Sequence, residues 1–284
     1  MVYTPPGSNY LNDHTLAHGP DGAWHLYATT NDSEGTPSEE NDIAHAVAPS
    51  LLGPWTAREP VMHLRADLHE AVLWAPYVFE PRPHAWLMVY WAGWNSPRPA
   101  KGLPGLRLAR SEDLSSWRRV EVGSEPANSL PGGRDPFALR VGDQYLLYSV
   151  GVDEQQHGQI VVSASNDPLG RTWSELSPVL TDPVPSFDWG NLESPFVVPY
   201  EGQYYLFVTR TGRGHIDYVR TNVFRSPDPR HFEWRPITDL RAHAAEIVVD
   251  AGRYYITSAG WTSSIGETNR GLSIAPLAWA REAQ

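Results

Sequence analysis

Apolar and polar positions alternate along this chain in short runs, and the runs repeat. A turn residue is followed within three positions by an aromatic-aliphatic stretch: GAWHLYA from Gly22, PHAWLMV from Pro83, GDQYLLY from Gly142, GQYYLFV from Gly202 and GRYYITS from Gly252. The anchors at 22, 83, 142, 202 and 252 lie 61, 59, 60 and 50 residues apart. A second signature follows each: a small-residue strand, a Ser, an Asp or Pro turn, then Trp. The copies are AVAPSLLGPW, LARSEDLSSW, VSASNDPLGRTW and FRSPDPRHFEW, ending at Trp55, Trp117, Trp173 and Trp234, with a decayed SIAPLAW ending at Trp279. Alternation broken by such turns predicts strands. Each repeat therefore reads as an inner strand (NDHTLAHG, AVLWAPYVFE, RDPFALRV, LESPFVVPY, HAAEIVVD), a turn, a second strand, a third (LRLARS, IVVSAS, NVFRS) and a short outer strand at the Trp.

A period of this length means one small sheet per repeat. Four strands, five times, predict an all-β, five-bladed β-propeller with four antiparallel strands per blade, a single domain over residues 1–284. The stretch before Asn12 is expected to run beside the last blade and close the ring. A linear solenoid would need polar end caps, and these end repeats look like ordinary blades.

Composition suits this reading: Trp 12, Tyr 13, Pro 26 and Gly 23 fit short strands and tight turns. A formal charge of −11 with Lys+Arg at 22 argues against a nucleic-acid partner and against an anionic membrane. With Cys at 0, thiolate metal sites and disulfides are excluded. MVYTPPGSNY shows no basic region followed by an apolar run. The expectation is a cytoplasmic protein, or a secreted one whose leader is not part of this sequence.

In a propeller the inner strands line a central channel, so residues at their starts converge. Nine residues before four anchors stand Asp13, Trp74, Glu193 and His243, and seven before Gly142 stands Asp135. Glu70 and Glu246 lie near equivalent places. Any one carboxyl is most often solvated or structural. Three at matched positions repel and raise one another's pKa values. Glycoside cleavage needs this arrangement, with one carboxyl protonated to serve the leaving oxygen and another ionised to activate water or attack carbon.

NDHTL around Asp13, LWAPYVFE around Trp74, GGRDPFAL around Asp135 and NLESPFVV around Glu193 resemble the motifs of the five-bladed propeller glycoside hydrolases, families 43 and 32. The resemblance spans nearly the whole chain. It implies Asp13 as general base (family 43) or nucleophile (family 32), Asp135 as orienting and pKa-tuning group, and Glu193 as general acid. His-Thr after Asp13 and a chain that stops at the propeller favour family 43, whereas Arg134-Asp135-Pro136 is similar to family 32. Family 43 inverts and family 32 retains. The resemblance also implies that His243 faces a central cation, often calcium, through water, with no other cofactor required. The residues also allow His243 a hydrogen bond within the channel.

Substrate-binding candidates are His14, Trp74, Trp94, Arg134, Trp189, His243, Trp261 and Arg270. His14 adjoins Asp13, where it could touch a sugar hydroxyl or cap the strand. The four Trp could stack on sugar C–H faces or pack between blades. Arg134 and Arg270 could pair with an ionised Asp135. The expected partner is an oligosaccharide or polysaccharide, cleaved at terminal arabinofuranoside or xyloside linkages. The alternatives are a β-fructofuranosidase-like retaining enzyme or transglycosidase, transfer to phosphate by way of Arg134, Arg210 and Arg213, and a non-catalytic carbohydrate-binding propeller.

Overall fold

The hairpin anchors show why a turn residue recurs. Gly22, Gly142, Gly202 and Gly252 have φ of 77°, 59°, 75° and 74°, a region glycine enters without steric cost. Pro83 cannot enter it, and in that repeat His84 does so, at φ 58°.

The computed structural model describes residues 1–32, 35–93, 105–120, 130–169, 172–186, 191–210, 219–260 and 270–280. Within them the strands form five antiparallel sheets. Blade one joins β1 (Asn9–His18), β2 (Trp24–Asp32), β3 (Asp42–Ala48) and β4 (Thr56–His63). Blade two joins β5 (Trp74–Arg82), β6 (Ala85–Trp91), β7 (Leu106–Ser111) and β8 (Arg118–Arg119). Blade three joins β9 (Phe137–Val141), β10 (Gln144–Val152), β11 (His157–Ser165) and β12 (Ser177–Pro185). Blade four joins β13 (Leu192–Tyr200), β14 (Gln203–Arg210), β15 (Thr221–Ser226) and β16 (Thr238–Leu240). Blade five joins β17 (Ile247–Asp250), β18 (Arg253–Ser258) and β19 (Ser273–Leu277). Its outer edge takes the N-terminal segment, as expected: Tyr3 bridges Leu272 antiparallel, with Leu272 N donating to Tyr3 O at 2.9 Å and Val2 N to Leu272 O at 2.8 Å.

Apolar side chains pack between neighbouring blades. Tyr27, Ile43, Met88 and Tyr90 fill the gap between blades one and two. Trp74, Trp91, Leu106 and Leu147 fill that between two and three. Phe137, Tyr148, Leu206 and Phe224 join three to four, and Val198, Phe207 and Ile247 join four to five. Trp24, Leu51 and Val248 close five onto one. Every blade thus buries both faces, the arrangement that distinguishes a ring from a stack with ends.

Trp55, Trp117, Trp173 and Trp234 stand just ahead of the outer strands rather than in them, and Trp279 follows the last strand of blade five. Trp117 meets Tyr27 edge-on with ring centroids 5.5 Å apart, and Trp279 stacks on Tyr200 at 4.3 Å. The Ser and Asp before them build the turns: Ser111 Oγ accepts Leu114 N at 2.8 Å, and Asp113 Oδ1 accepts Ser116 N at 2.7 Å.

Closure by the N-terminal segment has a measurable consequence. Deleting residues 1–6 removes the backbone bonds to Leu272 and should lower Tm by on the order of 5 °C, read by calorimetry. An unchanged Tm would show that the ring closes without that segment.

Candidate active site

Two adjacent positions on each inner strand build the channel mouth. At the second of them Ala75, Asp135, Ser194 and Ala244 have φ of 48°, 57°, 50° and 47°. Left-handed backbone at a residue with a side chain costs on the order of 1 kcal/mol, and neighbouring groups hold it in place. Thr29 Oγ1 accepts Ala75 N at 2.9 Å, Asp135 Oδ2 accepts Ser194 N at 3.1 Å, and Thr209 Oγ1 accepts Ala244 N at 3.1 Å. The pairing register slips at this place in β1 (Leu11 to His14), β5 (Trp74 to Tyr77) and β13 (Glu193 to Phe196). Asp13 fills the corresponding position in β1.

This corrects the level read from the anchors. Asp13 and Asp135 share the second position with Ala75, Ser194 and Ala244. Glu193 stands one residue earlier, level with Asn12, Trp74, Arg134 and His243. Counting back from the anchors misplaces residues because the hairpins differ in length: Val141 pairs with Gln144 across a short turn, whereas His18 pairs with Trp24 across a longer one.

The three acids come together. Ser194 Oγ donates to Asp13 Oδ1 at 2.6 Å while Ser194 N donates to Asp135 Oδ2 at 3.1 Å. The Arg134 guanidinium spans the other two, reaching Asp135 Oδ2 at 2.9 Å and Glu193 Oε1 at 3.0 Å. Asp135 and Glu193 are 5% and 8% exposed. Burial pushes the Asp135 carboxyl up and the charges of Asp13 and Glu193 add to this, while Arg134 and the Ser194 N–H pull it down. Neither Ser194 nor the Arg134 bridge to Glu193 was anticipated from the sequence. Aligning the inner strands on W-A-P-Y, R-D-P-F and E-S-P-F, rather than on the anchors, would have set Glu193 beside Arg134 and shown Ser194 level with Asp135.

Between Asp13, Asp135 and Ser194 the strands leave a cavity of about 30 Å³, lined also by His14, Tyr77, Phe137, Phe196 and Glu246, room for a water or two. His14 is buried, its Nε2 lies 2.7 Å from Thr257 Oγ1, and its Nδ1 has no partner among the described residues. Burial, then the neighbouring His243, pushes its pKa down to about 3. Glu246 is also buried, accepts Leu16 N at 3.2 Å, and is pushed up to about 8 by that burial.

The other candidates divide. Trp74 stands at the mouth but is 8% exposed, its Nε1 donating to Pro37 O at 3.1 Å. His243 is buried, with Nδ1 2.6 Å from Ala259 O and its backbone N donating to Ser258 Oγ at 3.0 Å. Arg270 turns away from Asp135, donating to Gly7 O at 2.8 Å and Asn9 O at 3.4 Å, because the closing N-terminal segment offers it carbonyls. Glu70 lies off the axis, bound by Arg119 Nε and Nη2 at 2.7 Å each and by Tyr90 Oη at 3.0 Å. Arg210 is committed to Asp182 at 2.9 Å. Trp94, Trp189, Trp261 and Arg213 lie outside the described residues.

Calcium takes six to eight oxygen ligands. Among the described residues no three His, Asp or Glu groups are gathered to hold a metal, and the cavity walls at His14 are largely apolar. The donor set does not fit a directly ligated calcium. Nor is any described helix long and apolar enough to cross a membrane.

No protein-family model matches the chain, and no curated protein does. Solved structures do. A GH43_1 enzyme from Xanthomonas citri complexed with xylose superposes with a TM-score of 0.71 at 19% identity, covering 99% of this chain and 89% of that one. A GH43 β-xylosidase/α-arabinofuranosidase from a compost microbial metagenome, in complex with xylotriose and calcium-free, gives 0.68 at 14%, covering 100% and 94%. An exo-1,5-α-L-arabinanase from a bovine ruminal metagenomic library gives 0.67 at 15%, covering 99% and 98%. At these identities the likeness establishes a shared fold, the five-bladed propeller.

Glu246 generates a prediction about stability. Its folded pKa of about 8 lies above the ordinary carboxyl range, so the fold favours the protonated form. That stabilisation is complete below the ordinary carboxyl pKa and is lost as pH rises through about 8. Tm should fall from pH 5 to pH 9, and Glu246→Gln should flatten the decline. Equal slopes in the two proteins would remove Glu246 as the cause.

Proposed function

We propose that this chain is a glycoside hydrolase of the GH43 kind, acting as one catalytic propeller on terminal arabinofuranoside or xyloside linkages of an oligosaccharide. The observation that carries the reading is the enclosed network in which Ser194 and Arg134 connect Asp13, Asp135 and Glu193. Two carboxyls share one guanidinium there, and the third is tied to them through Ser194. Two like charges about 4 Å apart repel by roughly 4 kcal/mol at the effective dielectric of such a site. A group assembled against that repulsion suits proton transfer, whereas sugar binding alone does not call for it. The GH43 enzymes that share the fold support the same reading.

In this scheme Asp13 is the general base. The Ser194 hydroxyl holds its Oδ1, which fixes the carboxylate toward a water at the anomeric carbon. Glu193 is the general acid for the leaving oxygen. Arg134 holds both Glu193 and Asp135, so a proton leaving Glu193 leaves a carboxylate already paired. Asp135 keeps Arg134 and the Ser194 backbone in place and supplies negative charge beside the oxocarbenium-like transition state. Water attack gives inversion. The chemistry calls on side chains and water and on no organic cofactor. Phosphate transfer is disfavoured by the commitments of Arg134 to the acids and Arg210 to Asp182.

The test is turnover of 4-nitrophenyl α-L-arabinofuranoside, 4-nitrophenyl β-D-xyloside and the matching oligosaccharides, with the product anomer read by proton NMR. Asp13→Asn and Glu193→Gln should each lower kcat by about 10²- to 10⁴-fold with the circular dichroism spectrum unchanged. Near-normal activity in either variant overturns its role. Binding of these sugars without turnover would favour the non-catalytic propeller, and a retained anomer would favour the fructofuranosidase-like mechanism.

A further inference from the structure

A fourth carboxyl stands beside this group. Glu40 follows the 3-10 turn Pro37–Glu39, which Thr36 and Glu39 cap reciprocally. It is 1% exposed. Its Oε1 accepts the Tyr10 hydroxyl at 2.7 Å and is approached by Asn12 Nδ2 at 3.5 Å. Tyr10 and Asn12 flank Leu11 where β1 breaks register, immediately before Asp13. The backbone of the same turn faces the other way. Glu40 O accepts Leu73 N at 2.8 Å, and Pro37 O accepts the Trp74 indole at 3.1 Å. One turn therefore ties the Asp13 wall of the mouth in blade one to the Trp74 wall in blade two.

We propose that Glu40 is a positioning residue for the hydrolysis: its carboxyl fixes the irregular segment of β1 that presents Asp13, and its turn sets that segment against Trp74. The proposal rests on Asp13 being the catalytic base. A buried polar side chain with no such duty would ordinarily be replaced by an apolar one, because burying a carboxyl beside another acid is costly. The groups facing it are Tyr10, Asn12 and Asp13 of β1, and Glu39 of its own turn acts on Tyr10. Burial first, and then the charge of Asp13, push Glu40 up to about 8 against the pull of the Tyr10 and Asn12 hydrogen bonds. Below that pH it is neutral and serves as an acceptor. Above it, a second charge stands beside the base.

Four variants test this on whichever of the two 4-nitrophenyl glycosides the wild type turns over, with kcat and KM measured from pH 5 to pH 9. Glu40→Ala should lower kcat by about tenfold or more with KM within about twofold, since a small displacement of a reacting group is felt mainly in turnover. Glu40→Gln keeps an oxygen for Tyr10. It should restore kcat at pH 6 to within about twofold of wild type and lose less of it than the wild type does between pH 6 and pH 9. A folded Glu40→Ala enzyme with wild-type kcat, or a Glu40→Gln enzyme as impaired as Glu40→Ala, overturns the proposal. If Glu40→Ala does not fold, Tyr10→Phe takes its place: a severalfold loss in kcat is expected, and wild-type kcat overturns the proposal. Asp13→Asn separates the two readings. If it is inactive while the Glu40 variants behave as wild type, the positioning role falls alone. If it is active, the reading of Asp13 falls and this one with it.

Discussion

Closure of the ring is the constraint on which the site depends. Five twisted sheets bury both faces only if the fifth meets the first, and the contacts of Trp24, Leu51 and Val248 together with the Tyr3–Leu272 bridge accomplish this. Closure forces five inner strands to start around one axis. It thereby sets Asp13, Asp135 and Glu193, far apart in the chain, within reach of one serine and one arginine. Without that enforced proximity the carboxyls would separate, because mutual repulsion in a low-dielectric mouth exceeds what any single hydrogen bond returns.

The repeat made the architecture legible. Hairpin glycines with positive φ, Ser-Asp turns and inter-blade tryptophans are local devices, each visible in a few consecutive residues, and their spacing announces five sheets. What local devices cannot convey is register at the mouth. The first hairpin has a five-residue turn where the others have two, and the anchor glycine stands first in one short turn and second in another, so the count back to the inner strand shifts and Glu193 was read level with Asp13 although it lies level with Arg134. The Pro-aromatic pair that follows the left-handed residue in three blades was the better ruler, since it marks the backbone feature that points the side chains.

Long-range partners were less legible still. Ser194 matters because its hydroxyl and its N–H face different acids, which only the closed ring brings near. Glu40 sits in a polar stretch, TPSEEN, that reads as a solvated loop. The Thr36–Glu39 cap within it is recognisable, but burial of the next residue follows from blade two's Leu73 and Trp74 closing over it. Arg270 failed as a partner of Asp135 for the converse reason, since the N-terminal segment that closes the ring also occupies its guanidinium.

The mouth amounts to one pair of positions repeated in five blades, left-handed at the second of them in four. Its paired positions are Asn12-Asp13, Trp74-Ala75, Arg134-Asp135, Glu193-Ser194 and His243-Ala244. The second position points at the axis, and the blades differ in what they place there: two carboxylates, a serine whose hydroxyl holds one and whose N–H holds the other, and two alanines. The first position supplies the acid, the guanidinium, an indole wall and a histidine locked to the Ala259 carbonyl. Ala75 and Ala244 stand on either side of Asp13, and Ser194 of blade four reaches it across the axis. The chemistry of the mouth thus follows from which blades gave up their polar side chains as much as from which kept them.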